Sequence, residues 1–361
     1  MKNRCYTCIW CGSTRTRKFK TPLSKYRNQS YSFLRCCSCG TKWAVPFDVS
    51  RVDYDTIQKK HVGYARHRAD NEWINSILSN GADTYWTQCA TDYLCFKTMD
   101  SRYVHVLKKS VEAAKQERVL RILEVGCNLG YVGAIMMRHG HCYTGIDIQE
   151  EAIAKACQYY GEHFSCESIE KYASHCCKKF DLICSFEVIE HVPEPKAFLK
   201  TCLSLLNDNG VLVLTTPNGD QFRHNEWGSD LPPIHLTEFN RTSFSKLASS
   251  SLRVKFINNV HLSYSYIRII PNFGRYILKK WFAANGEAAN VTPILDPEDL
   301  NFHYGVGRKT ASLKWDFRPV VYRIRAIIDY VIAMIIAPFR PKSLGGNLVV
   351  ELTKKSSAYS R

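Results

Sequence analysis

A strand that ends on a glutamate, a turn rich in small residues and a second strand that ends on an aspartate leave this chain few folds to choose from. Residues 120–125 form an apolar strand candidate that runs into Gly126-Cys127-Asn128-Leu129-Gly130. Residues 131–139 then read as a helix and 142–146 as a second strand, closing on Gly145-Ile146-Asp147, 23 residues after Glu124. A strand that turns through glycine into a helix brings backbone close to a ligand. A carboxylate on the next strand tip can accept hydrogen bonds from both hydroxyls of an adenosine ribose. The spacing is G-x-x-x-G, not the G-x-G-x-x-G of a dinucleotide site, and alone it is a tight turn; the pairing with Asp147 is what carries weight. Alternation continues with a helix over 150–160, strands over 164–166 and 180–186, a helix over 195–206 and a buried strand over 210–215. That order predicts an α/β fold, a doubly wound and mostly parallel sheet with helices on both faces.

On these residues the chain resembles the class I S-adenosylmethionine-dependent methyltransferases. The resemblance covers roughly residues 115–260, with a last strand near 346–352, and implies a seven-stranded Rossmann-like sheet. It implies that Glu124, Gly126, Asn128 and Gly130 hold the amino-acid and sugar end of S-adenosylmethionine, that Asp147 takes the ribose hydroxyls, and that Glu167, flanked by Ser168 and Ile169, sits at the adenine. Asn128 stands where a glycine is common in the family. Three further stretches, Phe180-Asp181-Leu182-Ile183-Cys184-Ser185-Phe186-Glu187-Val188-Ile189-Glu190-His191-Val192-Pro193, Leu214-Thr215-Thr216-Pro217-Asn218 and Pro232-Pro233-Ile234-His235-Leu236-Thr237-Glu238-Phe239, resemble the branch with the ubiquinone-biosynthesis O-methyltransferases and the enzymes that methylate the 3′ end of small RNAs.

A hydroxyl acceptor needs its proton removed or its pKa lowered by a metal. Glu187, Glu190 and His191 are spaced i, i+3, i+4 and would share one face of a helical turn. His235 is expected on the same rim of the sheet. Two carboxylates and two imidazoles suit Mg²⁺, Mn²⁺ or Zn²⁺; the resemblance to the small-RNA enzymes implies a metal that grips a vicinal diol. The competing reading gives these residues an ordering role, or makes His191 a lone base. His224, in a stretch over 220–231 that could form a lid, reads as an exposed histidine. Tyr85, Trp86, Tyr93 and Tyr103 fall where the family places a substrate-covering helix.

The N-terminus repeats one design. Cys8-Ile9-Trp10-Cys11-Gly12 and Cys36-Cys37-Ser38-Cys39-Gly40 are both C-x-x-C-G. Two such turns supply four sulfurs for a tetrahedral Zn²⁺, and the glycine takes the positive φ that each turn needs. A closed Cys8, Cys11, Cys36, Cys39 site holds structure rather than performing chemistry. Cys5 with Cys8 is an alternative first pair; Gly12, matching Gly40, favours Cys8 with Cys11.

These signals divide the 361 residues into a zinc ribbon (1–50), a helical linker and cover region (51–115), the cofactor-binding core (116–263), an amphipathic helical insertion (264–343) and a last core strand with tail (344–361). Net charge is +16: residues 1–60 carry 13 Lys and Arg against 3 Asp and Glu, residues 261–361 carry 15 against 7, and the middle is close to neutral. Basic ends suit an anionic partner such as nucleic acid, phospholipid or a phosphate-linked substrate. No run of 18 apolar residues suggests a span, and MKNRCYTCIWCG lacks the apolar core of a secretory signal, so a cytoplasmic protein is expected, with the other cysteines reduced. Val320, Ile324, Ile327, Ile328, Val331, Ile335 and Phe339 make a helical stripe flanked by arginines. It fits peripheral contact with the inner face of a membrane, packing on the core, or an oligomer contact. The sequence therefore favours a methyltransferase acting on a hydroxyl of a sugar, glycan or lipid-linked small molecule. RNA ribose 2′-O-methylation and a non-catalytic binding module on the same fold are the alternatives.

Overall fold

The computed structural model describes residues 6–19, 31–45, 103–220, 232, 235–249, 251–257 and 347–355. Three strands form the N-terminal segment, β1 (Thr16–Lys18), β2 (Ser32–Cys36) and β3 (Lys42–Val45). Helix α1 (Val104–Lys115) precedes an alternating run of β4 (Arg121–Val125), α2 (Tyr131–Arg138), β5 (Cys142–Asp147), α3 (Glu150–Tyr160), β6 (Phe164–Cys166), α4 (Ile169–His175), β7 (Phe180–Phe186), α5 (Pro195–Ser204) and β8 (Leu206–Pro217). Then come β9 (Thr237–Glu238), α6 (Arg241–Ser245), β10 (Leu252–Phe256) and β11 (Asn347–Lys354).

The seven-stranded sheet has the order β10-β11-β8-β7-β4-β5-β6. Strand β4 lies parallel between β5 and β7; β11 runs antiparallel between β8 and β10. The chain leaves β4 toward β5 and β6, then returns to β7 and β8. That reversal opens a crevice at the carboxyl ends of β4 and β7, where α/β sheets bind ligands. Both faces are covered, so the central strands read as continuous apolar runs. Ile122, Leu182, Cys184, Val213 and Val349 face the side of α1, α2 and α3, whereas Leu123, Ile183, Leu212, Leu214 and Val350 face α4, α5 and the N-terminal segment. Cys127, Cys184 and Cys202 pack in this core as small apolar groups.

The expected mostly parallel seven-stranded sheet is present, with two local differences. Helix α4 was not anticipated; its signal is Ser168, whose hydroxyl caps the helix by accepting from the Lys171 amide. Strand β8 starts at Leu206, earlier than expected, because Leu206 pairs with Phe180 of β7 while polar Asn207-Asp208-Asn209 hide the strand in the sequence.

The N-terminal strands belong to a second sheet, β1-β2-β3-β9, whose last strand is lent by the core. Trp10 is 1% exposed, with Phe239 and Phe244 edge-on at 4.9 and 5.5 Å. Cys5, Tyr85, Trp86, Tyr93, His224 and the 264–343 stretch lie outside the described residues. Among the described residues no helix is long and apolar enough to cross a membrane.

Candidate active site and cysteine cluster

The turn after β4 is wired internally. Gly126 and Cys127 both donate to the Ile146 carbonyl (2.8 and 3.1 Å), Asn128 donates to Asp147 Oδ2 (2.9 Å), Leu129 to its neighbour's Asn128 Oδ1 (2.8 Å) and Gly130 to the Cys127 carbonyl (3.0 Å). Gly126 and Gly130 have φ of 79° and 76°, and Asn128 has 48°, a left-handed value that asparagine tolerates by bonding locally. This explains how Asn128 stands in for a glycine. A Cβ on Gly126 would run into Val188 Cγ2, and one on Gly130 into the Phe164 ring, so the turn is packed against the loop after β7 and against β6.

With its five amides taken, the turn offers a ligand acceptors rather than donors. Asp147, partly exposed at the tip of β5, also accepts from Gln149 N (3.0 Å). Burial pushes its carboxyl upward while the Asn128 and Gln149 amides pull it back. An ionised carboxylate has about four acceptor positions, so capacity for a hydroxyl remains. Glu124 lies beneath the turn, 3% exposed, and accepts from Tyr143 OH at 2.6 Å. Burial pushes Glu124 up to about 8, which the Tyr143 bond opposes and the nearby Asp147 reinforces. Glu167, after β6, donates its amide to the Asp147 carbonyl (2.9 Å) and pairs with His175 Nε2 (2.8 Å). Burial raises Glu167, but bonds from His175 and Ser165 hold it below the usual carboxylate range. Ile148, next to Asp147, is 64% exposed and went unnoticed in the sequence, where nothing separates it from a buried strand end.

Opposite this edge, the loop after β7 carries the second group. Residues 187–191 are a turn rather than a helix, so the i, i+3, i+4 face is not built. Glu187 has φ of 57°, its amide donating to the Thr215 carbonyl (3.1 Å). Glu190, His191 and His235 offer ligand atoms within 4.8 Å of one another; Glu187 is outside that group. The two imidazoles are edge-on at 4.7 Å, and His191 Nε2 lies 3.9 Å from Glu190 Oε1. Burial, and then His191, holds the His235 imidazole well below its ordinary pKa.

The four cysteines converge in the N-terminal sheet. Cys8 and Cys39 sulfurs are 3.7 Å apart, Cys11 and Cys36 sulfurs 3.6 Å, and all four lie within 4.8 Å. A tetrahedral Zn²⁺ with 2.3 Å bonds to sulfur needs edges of about 3.8 Å, so the donor set fits. Gly12 and Gly40 have φ of 75° and 77°. Sharing with Cys8, and burial, push the Cys39 thiol up to about 12. Cys37 is exposed and outside the cluster.

With this geometry in view, residues 97–251 match the family model described as a methyltransferase domain. This segment is similar to methyltransferase domains. Among curated relatives, the ubiquinone biosynthesis O-methyltransferase of Coxiella burnetii is 31% identical over 102 residues, 27% of this chain and 43% of that protein. The one from Xanthomonas axonopodis pv. citri is 34% identical over 113 residues, 30% of this chain and 47% of that protein. The chain thus spans less than half the length of the curated relatives it matches. Among solved structures, the plantazolicin methyltransferase BamL, in complex with a triazolic desmethylPZN analog and SAH, matches 79% of this chain and 96% of its own at 16% identity and a TM-score of 0.41.

Proposed function

We propose that this chain is an S-adenosylmethionine-dependent methyltransferase that methylates a hydroxyl of a sugar, glycan or lipid-linked small molecule. The observation that carries the reading is the turn's backbone, whose amides are all spent internally. A phosphate site presents backbone N–H groups, whereas here residues 126–130 have spent theirs internally. Carbonyls and the Asp147 carboxylate suit a ligand rich in donors and positive charge, with ribose hydroxyls, an ammonium and a sulfonium. When bound, that cofactor supplies a methyl group already activated on a sulfonium. In this reading Asp147 takes the ribose hydroxyls, the acceptor edges of Glu124 and the 126–130 turn face the amino-acid end, and Ile148 offers an apolar surface to the base.

His191, on the loop after β7, and His235, just before β9, are the groups we assign to the acceptor. An imidazole there takes the hydroxyl proton as the oxygen attacks, and the Val188 contact on Gly126 ties this loop to the cofactor turn. The cluster of Glu190, His191 and His235 also supports a second reading, in which Mg²⁺, Mn²⁺ or Zn²⁺ lowers the pKa of the bound hydroxyl. An anionic group on the acceptor suits the ribbon: Arg17 faces Arg35, which faces Lys42, in one row across the sheet, and among the described residues Lys42 alone in that row reaches a carboxylate, Glu238 at 2.8 Å.

Calorimetry with S-adenosylhomocysteine tests the cofactor reading: micromolar binding is expected, and no detectable binding rejects it. Labelled methyl transfer to phosphate-linked sugars, vesicle lipids and mixed RNA separates the acceptors, and metal analysis before and after dialysis against chelator separates base from metal. Transfer to RNA alone, with salt-sensitive binding, replaces the small-molecule reading.

A further inference from the structure

The ribbon touches the segment that carries His235, and nothing in a purely structural role requires that. Strand β3 pairs with β9 through Lys42 with Glu238 and Trp43 with Thr237. The Ala44 amide donates to the Leu236 carbonyl at 2.9 Å. On their other side the Leu236 and Thr237 amides both donate to the Glu190 carbonyl, at 2.9 and 3.1 Å. Leu236 is therefore a bridge, with its carbonyl on the ribbon and its amide on the residue before His191. It is fully buried, and His235 is its immediate neighbour.

A second path starts at a candidate metal ligand. Cys39 Sγ contacts Thr41 Oγ1 (3.1 Å), which donates to Ser243 Oγ (2.8 Å); Ser243 and Asn240 then bond reciprocally as the cap of α6. Trp10, inside the first C-x-x-C turn, donates its indole N–H to the Ser243 carbonyl (2.8 Å). A Cβ on Gly40 would lie 2.5 Å from Asn240 Nδ2, so the second cysteine turn is seated directly on that cap. Both cysteine turns thus hold residues 235–243 from one side, while the loop after β7 holds them from the other. No such contact joins the ribbon to the Asp147 edge among the described residues.

We propose that the cysteine ribbon is a positioning element for the acceptor half of the active site, setting His235 against His191 while leaving the cofactor half alone. This rests on the assignment of His191 and His235 to the acceptor. A segment of about 50 residues buries too little apolar area to hold its own shape without a metal or a partner. Loss of the cluster therefore frees β3, and the Leu236 carbonyl and Trp10 pocket lose their partners. The positioning residues are Trp10, Thr41 and Leu236.

The test compares full-length metal-loaded protein, chelator-treated protein, and the variants Trp10→Ala, Trp10→Phe and Thr41→Val, which keep all four cysteines. Hydrogen exchange over 235–243, the ring ¹H–¹³C signals of His235 and His191, and S-adenosylhomocysteine affinity are measured on each. Expected are exchange at least tenfold faster over 235–243 and displaced histidine signals in the metal-free protein and in Trp10→Ala. Trp10→Phe should recover most of the shift, and affinity should stay within threefold throughout. Unchanged exchange and signals in Trp10→Ala, or a parallel collapse of affinity, overturns the proposal. Absence of binding in the intact protein instead rejects the cofactor reading, since exchange and ring signals are read without ligand.

Discussion

Replacing Asp147 by asparagine keeps its shape and removes half of what it does. Both carboxylate oxygens accept a backbone amide, Oδ2 from Asn128 at 2.9 Å and Oδ1 from Gln149 at 3.0 Å. Asparagine has one acceptor oxygen and one donor NH₂, so in either flip a donor faces a donor. The variant loses one charge-assisted bond and strands one partly buried amide, a cost of about 2–3 kcal/mol. Because Asn128 is the midpoint of the 126–130 turn, that cost falls on the cofactor edge. A shift of about 2–3 kcal/mol corresponds to roughly 30- to 150-fold weaker S-adenosylhomocysteine binding. Calorimetry on wild type and Asp147→Asn, with circular dichroism to establish that the sheet is intact, measures it. Affinity within threefold of wild type would refute the assignment of Asp147 and the wiring of the turn together.

Four further outcomes follow from the structure. Gly130→Ala should cost about 2–5 kcal/mol in urea unfolding, from left-handed strain plus collision with Phe164. Gly140→Ala, at φ of 85° with nothing within 4 Å of the added carbon, should show the strain alone, about 1 kcal/mol. Glu351 is bonded to His105 (2.7 Å) and Lys109 (3.1 Å), which hold it at about 2. Its folded pKa is depressed, so its contribution is complete above about 4.5 and disappears as pH falls toward 2; Glu351→Gln should lose about 3 kcal/mol near neutrality and flatten that acid limb. Glu124 has the opposite sign: raised to about 8, it makes ligand-free protein lose stability as pH climbs from about 4.5 to 8, and Glu124→Gln should abolish that slope in pH-dependent unfolding.

The sheet was legible because its strands are buried on both faces and its helices are short and amphipathic, so each element announces itself locally. The glycines were legible for a related reason, since a positive φ leaves a mark on residue choice. The site was legible only in part. That Asp147 stands at a strand tip could be read from Gly145-Ile146-Asp147; that its oxygens are spent on two amides could not. Glu190, His191 and His235 come together through a turn at Glu187, a left-handed non-glycine position with no sequence mark, and the expected helical face gave way to it. The ribbon's attachment was the least visible feature, because β9 is two residues long and its partner lies about 200 positions away.

Strand β11 gives the order of synthesis a consequence for this chain. Its residues, Asn347–Lys354, fill the gap between β8 and β10 and are made long after β8. Between Pro217 and Asn347 the ribosome must add 130 residues, which takes roughly 6–26 s at typical rates. Throughout that interval β8, with a run of Val211, Leu212, Val213 and Leu214, lacks its β11 partner. A strand without its partner invites pairing with other nascent chains. A stop codon placed anywhere between Phe256 and Asn347 would therefore leave β8 without this antiparallel partner, in an aggregation-prone form.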